Sequence, residues 1–323
     1  MAMRYRVLGR TGVQVSQLCM GTMSFGGDAD EAEAAKMYAA CRELGINFFD
    51  CADQYNKGRA EEILGRLMKG HRDEVVITTK CFNPSGPDVN ARGTSRRYIK
   101  LAVERSLGRL GTDRVEVLFL HQMDPLTPVE ESLRAMEDLV RDGKLLYPGL
   151  SNYSAWMTEK ALAVAERNGW ARVECVQPMY NLVKRQAEVE ILPMALANGL
   201  GVTPYSPAGG GLLSGKYTDK AAQGRIASNK MYNARYGEPW MHEVAQSFAA
   251  FCRQRGWHPM SAAVAWAGSH PAVTAPIIGG RSLTQLQASL DSLKIDMTPA
   301  LRAEIAALSR TPPPATDRSE EAK

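Results

Sequence analysis

Several large classes of protein leave marks that this sequence lacks. Its 323 residues hold six cysteines, at Cys19, Cys41, Cys51, Cys81, Cys175 and Cys252, with no CxxC pair and no accompanying histidine cluster. A zinc site and a disulfide framework are therefore not expected, and a reducing cytoplasm is the simplest setting. No apolar run approaches the roughly 18 residues of a membrane span, and the opening MAMRYRVLGRTG has no apolar core of a secretory leader. Charge of one sign is missing too. Lys+Arg is 39 against Asp+Glu 35, a net +4, and the basic residues are scattered. That speaks against a nucleic-acid surface while leaving room for a small anionic ligand.

What is present is an ordinary globular composition, 45% hydrophobic and 23% charged, which excludes a disordered chain. Short apolar runs recur at residues 17–20, 47–50, 75–79, 115–120, 146–151, 173–177, 201–205 and 273–278. Segments of helical period lie between them, at 31–44, 95–110, 129–141, 158–168 and 187–198. Eight alternating strand–helix units predict a closed (β/α)8 barrel, a TIM barrel, over residues 1–310. An open doubly wound sheet is the competing architecture, but no GxGxxG follows the first strand. Three additions are expected: an N-terminal β-hairpin turning at residues 9–12 and plugging the barrel, a long loop at 208–240 after the seventh strand, and an extra C-terminal helix near 299–308. Residues 311–323, Pro-rich then charged, read as a mobile tail.

In such a barrel the chemistry sits at the C-terminal ends of the strands. Three successive apolar strands end there in Asp50, Lys80 and His121, with Tyr55 in the loop after the first of them. One charged residue ending a strand is usually just where the strand meets water. Three together, brought to one mouth by barrel closure, make a proton-transfer set. A tyrosine titrates near 10 when unperturbed, and a neighbouring Lys80 ammonium should lower that by stabilising the phenolate. Asp50 would hold Lys80 in place, and His121 would donate a hydrogen bond to a substrate oxygen. Tyr55 is then a general acid for a developing alkoxide. No side chain supplies a hydride, so a nicotinamide cofactor is implied.

At this point the residues resemble the aldo-keto reductases, over nearly the whole chain from Arg6 to Leu293. The likeness runs through Phe49-Asp-Cys-Ala-Asp-Gln-Tyr55, Gly58-Arg-Ala-Glu-Glu-Ile-Leu-Gly65, Lys80, Leu120-His-Gln-Met-Asp-Pro125, Gly149-Leu-Ser-Asn-Tyr-Ser154, Gln177-Pro-Met-Tyr-Asn181 and Tyr205-Ser-Pro-Ala-Gly-Gly-Gly-Leu-Leu-Ser-Gly-Lys-Tyr217. Each motif is weak alone; all in order are specific. The branch most resembled includes plant and bacterial reductases and potassium-channel β subunits. The resemblance implies a tetrad of Tyr55, Asp50, Lys80 and His121. It implies Ser151, Asn152 and Gln177 on the nicotinamide carboxamide, with Tyr205 stacked on the ring. Ser206, Pro207, Ala208, Gly209 and Gly210, with Lys216, would meet the pyrophosphate. Gly21, Thr22 and Met23 would lie under the cofactor, Asp50 beside it, and Gly279, Gly280, Arg281 and Gln285 at its adenosine end. Where the branch usually carries an acidic residue and an asparagine toward the adenine, this chain has Ala288 and Ser289. Arg281, with Lys216 or Arg225, offers charge to a 2′-phosphate, so NADP is expected over NAD.

Phe25, Phe82, Met123, Tyr153, Tyr232 and Trp240 are candidate substrate-pocket walls. Cys51 and Cys81 read as inert packing thiols, since neighbours on a strand face opposite ways. Trp156, Trp170, Trp257 and Trp266 read as core. The functions expected are a reductase of small-molecule carbonyls, monomeric or assembled, or a cofactor-binding scaffold of the channel β-subunit type. A Schiff-base aldolase built on Lys80 is a third reading, from fold analogy alone.

Overall fold

The computed structural model describes residues 3–218 and 229–316. The chain opens with a hairpin of β1 (Tyr5–Val7) and β2 (Gln14–Ser16), paired antiparallel with Tyr5 opposite Ser16. Eight parallel strands follow: β3 (Cys19–Gly21), β4 (Phe48–Asp50), β5 (Val76–Cys81), β6 (Val115–Leu120), β7 (Leu145–Ser151), β8 (Cys175–Gln177), β9 (Gly201–Val202) and β10 (Ile277–Ile278). Their spatial order is β10-β3-β4-β5-β6-β7-β8-β9. The ring closes beyond the last strand pair: Thr274 N–H donates to Val202 O at 2.8 Å and Ile277 N–H to Pro204 O at 2.9 Å. This is the expected (β/α)8 barrel.

Strand parity separates two cores. Cys19, Phe48, Val76, Val117, Phe119 and Cys175 form one apolar cluster with Leu8 and Val15 of the hairpin. Their neighbours Met20, Phe49, Ile77, Leu118, Leu120 and Val176 join the larger cluster beneath the helices. The first set faces the barrel interior and the second faces out, as a period of two requires. Leu8 and Val15 are fully buried, so the hairpin does plug the barrel. The plug fits closely. A Cβ on Gly9, where φ is +59°, would stand 2.5 Å from Glu174 O, and one on Gly201 would stand 2.6 Å from Leu8 Cδ1.

Among the described residues the surrounding helices are α1 (Glu31–Glu43), α2 (Arg59–Leu67), α3 (Arg96–Leu110), α4 (Val129–Arg141), α5 (Ala155–Asn168), α6 (Ile191–Ala197), α7 (Lys230–Tyr236), α8 (Pro239–Gln254), α9 (Pro259–Gly268), α10 (Leu283–Leu290) and α11 (Pro299–Ala306). Asp30, Ser95 and Ser154 cap α1, α3 and α5 with side-chain oxygens. Among the described residues no helix is long and apolar enough to cross a membrane.

Several expectations need correction. Residues 219–228 of the expected loop at 208–240 lie outside the described residues, and the described part contains structure: short turns at Gly209–Ser214 and Lys216–Thr218, then, after the undescribed stretch, α7 and the start of α8. Asn229 starts α7 by accepting from Met231 N–H at 2.9 Å, and Pro239 opens α8 where its missing N–H costs nothing. The seventh and eighth strands are shorter than their apolar runs. Trp156 is 65% exposed, not core; it precedes the inward stripe of Thr158, Ala161, Leu162 and Ala165 on α5.

Candidate active site

Inward parity continues to the strand ends and selects the side chains found there. Asp50 follows inward Phe48 by two residues, Lys80 follows Val76 by four, His121 follows Phe119 by two and Gln177 follows Cys175 by two. Lys80 is fully buried. Its ammonium donates to Asp50 Oδ2 and to Cys51 O, each at 2.6 Å, and to Tyr55 Oη at 3.2 Å. Asp50 Oδ1 accepts from Thr78 Oγ1 and Gln177 Nε2, each at 2.8 Å. Tyr55 begins a single tight turn, Tyr55–Gly58, in which Asn56 and Lys57 adopt φ of +50° and +60°. The Asn56 amide secures that turn by donating to Met23 O and Phe25 O. The His121 ring stands edge-on to Tyr55 with centroids 6.3 Å apart.

The electrostatics separate the roles. Burial works against the Lys80 charge, but Asp50 and Tyr55 outweigh it and hold its pKa above the ordinary value. Burial pushes Tyr55 up to about 12 even though Lys80 pulls the other way. The expected net lowering of Tyr55 is therefore reversed: desolvation of the phenolate exceeds the stabilisation by Lys80, whose charge Asp50 partly offsets. Burial, then Lys80, lowers His121 to about 3, so its imidazole is neutral. Cys51 and Cys81 lie in the outer cluster with thiols raised by burial.

Next to the tetrad, β7, β8 and β9 end in a linked polar row. Ser151 Oγ donates to Gln177 O at 3.0 Å, and Asn152 Nδ2 to His121 O at 2.9 Å. Tyr205 Oη donates to Asn152 Oδ1 at 2.6 Å. Asn152 and Ser206 hold φ of +59° and +56°, conformations that cost a side-chain-bearing residue energy. After Ser206, Pro207 and Ala208, the glycines Gly209, Gly210 and Gly211 all have positive φ. A Cβ on Gly211 would lie 3.5 Å from Lys216 Nζ, so an ammonium stands over a backbone without side chains. Gly21, Thr22 and Met23 leave β3 toward the same mouth, with Thr22 Oγ1 donating to Asp50 O at 3.0 Å. Gly279, Gly280 and Arg281 follow β10; Ser24 Oγ donates to Gly280 O at 2.7 Å and ties the two loops together. Arg281 pairs with Asp28 at 3.0 Å, and its N–H reaches Gln285 Oε1 at 3.2 Å.

A model of the Aldo/keto reductase family matches residues 17–310. The chain belongs to the aldo/keto reductase family. It is 38% identical to an uncharacterized oxidoreductase, YrpG, of Bacillus subtilis, over 91% of this chain and 92% of the relative. It is 36% identical to a probable voltage-gated potassium channel subunit beta of Oryza sativa, over 94% of each. It is 31% identical to a versiconal hemiacetal acetate reductase of Aspergillus parasiticus, over 92% of this chain and 94% of the relative.

Within this aldo/keto reductase barrel some expected site residues lie elsewhere. Phe25 is fully buried and leaves no surface for a substrate; its backbone N–H donates to Thr22 O at 2.9 Å. Tyr232 packs on the glycine loop, its ring carbon 2.7 Å from where a Gly210 Cβ would stand. Trp240 sits in the first turn of α8 with the Arg310 guanidinium 4.6 Å over its ring. Ser289 is 2% exposed within α10, so its hydroxyl has no open face toward an adenine. Arg225 lies outside the described residues. Phe82, Met123 and Tyr153 do lie at the mouth, in segments following β5, β6 and β7. Sequence reasoning missed Thr78 and Asn83, whose Nδ2 lies 3.3 Å from His121 Nδ1. Parity would have found Thr78, two residues before Lys80; no local signal marks Asn83.

Proposed function

We propose that this protein is an NADPH-dependent carbonyl reductase in which Tyr55 is the general acid. The observation that carries the reading is the buried Lys80 ammonium, 2.6 Å from Asp50 and 3.2 Å from the Tyr55 hydroxyl. A nicotinamide dinucleotide fits the donor set: Ser151, Asn152 and Gln177 for the carboxamide, the bare Gly209–Gly211 backbone with Lys216 for the pyrophosphate, and Arg281 for a 2′-phosphate. When bound, that group supplies hydride to the carbonyl carbon. The chain's own residues manage the proton. With its pKa raised to about 12, Tyr55 is protonated at neutral pH and able to give its proton to the carbonyl oxygen. Lys80 steadies the phenolate left behind, and Asp50 keeps Lys80 charged and aimed. His121, neutral, orients the carbonyl oxygen by donating from its ring N–H.

Aromatic or medium-chain aldehydes and ketones are the substrates to try first. A second reading, a cofactor-binding channel subunit, draws on the Oryza sativa relative. The Schiff-base reading of Lys80 is not supported: its ammonium is buried, ion-paired and raised in pKa, the reverse of an activated amine. The test is a titration with NADPH and separately NADH, followed by tryptophan fluorescence, then turnover on an aldehyde panel. Saturable, NADPH-preferring binding and turnover lost in Tyr55→Phe are expected. Failure to bind either dinucleotide would sink the proposal; binding without turnover would favour the scaffold.

A further inference from the structure

Behind the tetrad lies a second carboxyl that the proposed chemistry does not use. Asp53, between Asp50 and Tyr55, is 5% exposed, and its N–H donates to Lys80 O at 3.0 Å. Its Oδ2 lies 3.1 Å from the Tyr98 hydroxyl, while Oδ1 is a buried oxygen with no hydrogen-bond partner. The same Tyr98 hydroxyl lies 3.1 Å from the carbonyl oxygen of Asn83. Asn83 then touches the His121 ring through its side-chain amide, 3.3 Å from Nδ1.

The Ser85 hydroxyl also bonds the Tyr98 oxygen, and the single Tyr98 hydrogen faces the Asp53 and Asn83 acceptors at equal distance. The state of Asp53 decides which acceptor it serves. Ionised, Asp53 takes the hydrogen, the Asn83 carbonyl loses its donor, and Oδ1 is left as a bare buried carboxylate oxygen. Protonated, Asp53 donates from Oδ2 to the Tyr98 oxygen, and Tyr98 passes its own hydrogen to Asn83. Oδ1 is then a neutral carbonyl, far cheaper to leave unpaired. When the Asn83 amide donates to Nδ1, the neutral His121 ring keeps its proton on Nε2.

We propose that Asp53 is a positioning residue for His121, acting through its choice of the Tyr98 hydrogen and the hold this gives on Asn83. The groups facing Asp53 are Glu61 on α2, Tyr98 and Arg109 on α3, and Cys81 on β5. Arg109 is already paired with Glu61 at 2.7 Å. Burial first, then the Glu61 charge, raises Asp53 to about 7, against the opposing pull of Tyr98, Arg109 and the Gln54 backbone N–H. The carboxyl therefore changes state in the neutral range, where neither Tyr55 nor His121 does.

The proposal rests on reading His121 as part of the reaction centre, but its test needs neither cofactor nor turnover. The histidine ring nitrogens of the full-length protein are followed by 15N-edited NMR from pH 5 to 9, with His121 assigned by its loss in His121→Gln. The wild-type His121 nitrogens should shift with a midpoint near 7 while the ring stays neutral, and Asp53→Asn and Tyr98→Phe should each abolish that midpoint. A matching inflection in kcat/KM should vanish in the same two variants. A wild-type ring with no neutral midpoint, or a midpoint kept in either variant, overturns the proposal. Failure of the reductase reading would instead appear as absent turnover with the NMR midpoint intact.

Discussion

At the scale of single residues, Asp50 is the most constrained side chain of the site. Its three partners, Lys80, Thr78 and Gln177, all donate. In Asp50→Asn the introduced amide must turn its NH2 toward one of these donors, and Lys80 loses its counter-charge while still buried. Breaking one partner of a buried pair costs about 3–5 kcal/mol, so a comparable fall in urea stability is expected. A loss below about 1 kcal/mol would show that Lys80 simply goes neutral. The proposed dinucleotide site gives a second case. Arg281 is half-exposed and bound to Asp28, a pair that a 2′-phosphate would have to displace. Arg281→Ala should weaken NADPH binding far more than NADH binding, and Asp28→Asn should tighten NADPH selectively. Equal changes for both dinucleotides would remove the 2′-phosphate role. Asp50, Lys80 and His121 were legible in the sequence because a strand end is marked by where an apolar run stops. Asp53 was not: it sits mid-loop in the Phe49–Tyr55 motif, and only burial distinguishes it.

At the scale of elements, the same contrast recurs. Strand existence and order followed from apolar runs, because parity and length are local properties. The last strands are shorter than their apolar runs predict: β9 and β10 join through hydrogen bonds that each reach one residue outside a strand, Thr274 to Val202 and Ile277 to Pro204, and such bonds leave no periodic trace. Glycines at the start of the segment after β9 predict a loop, yet α7 and α8 begin within it at Lys230 and Pro239. The glycine loop is where an element-scale prediction is sharpest. A Cβ on Gly210, at φ +62°, would press to 2.7 Å from the Tyr232 ring. Gly210→Ala should displace α7 and weaken dinucleotide binding, with little change in thermal stability because the barrel core is untouched. The hairpin predicts the reverse. Leu8→Ala empties a fully buried position in the barrel floor and should cost about 2–5 kcal/mol, while dinucleotide affinity at the opposite end holds. A stable Leu8→Ala protein would mean that the plug is dispensable.

At the scale of the whole molecule, the buried site leaves a signature in stability against pH. Two groups set it. Asp53 is raised to about 7 in the fold, from about 3.9 in the unfolded chain. Between these values the native state binds the extra proton, and stability is lost as pH rises. His121 is lowered to about 3, from about 6.5 unfolded. Between those values the unfolded state binds the extra proton, and stability is gained as pH rises. Each contributes a slope of up to about 1.4 kcal/mol per pH unit, with opposite sign. From about pH 4.5 to 6 they cancel, so the pair adds almost nothing to the wild-type slope there. Asp53→Asn removes one side of the balance. Its stability should rise relative to wild type as pH increases from 4.5 to 6, by about 2 kcal/mol in all, as read from urea midpoints at matched ionic strength. Titrating groups with no contact to Asp53, including the lowered His270 and Glu188, contribute equally to both curves and drop out of the difference. Parallel curves for the two proteins would mean that Asp53 is ionised in the fold across that range, and the proton-controlled hold on His121 would go with it.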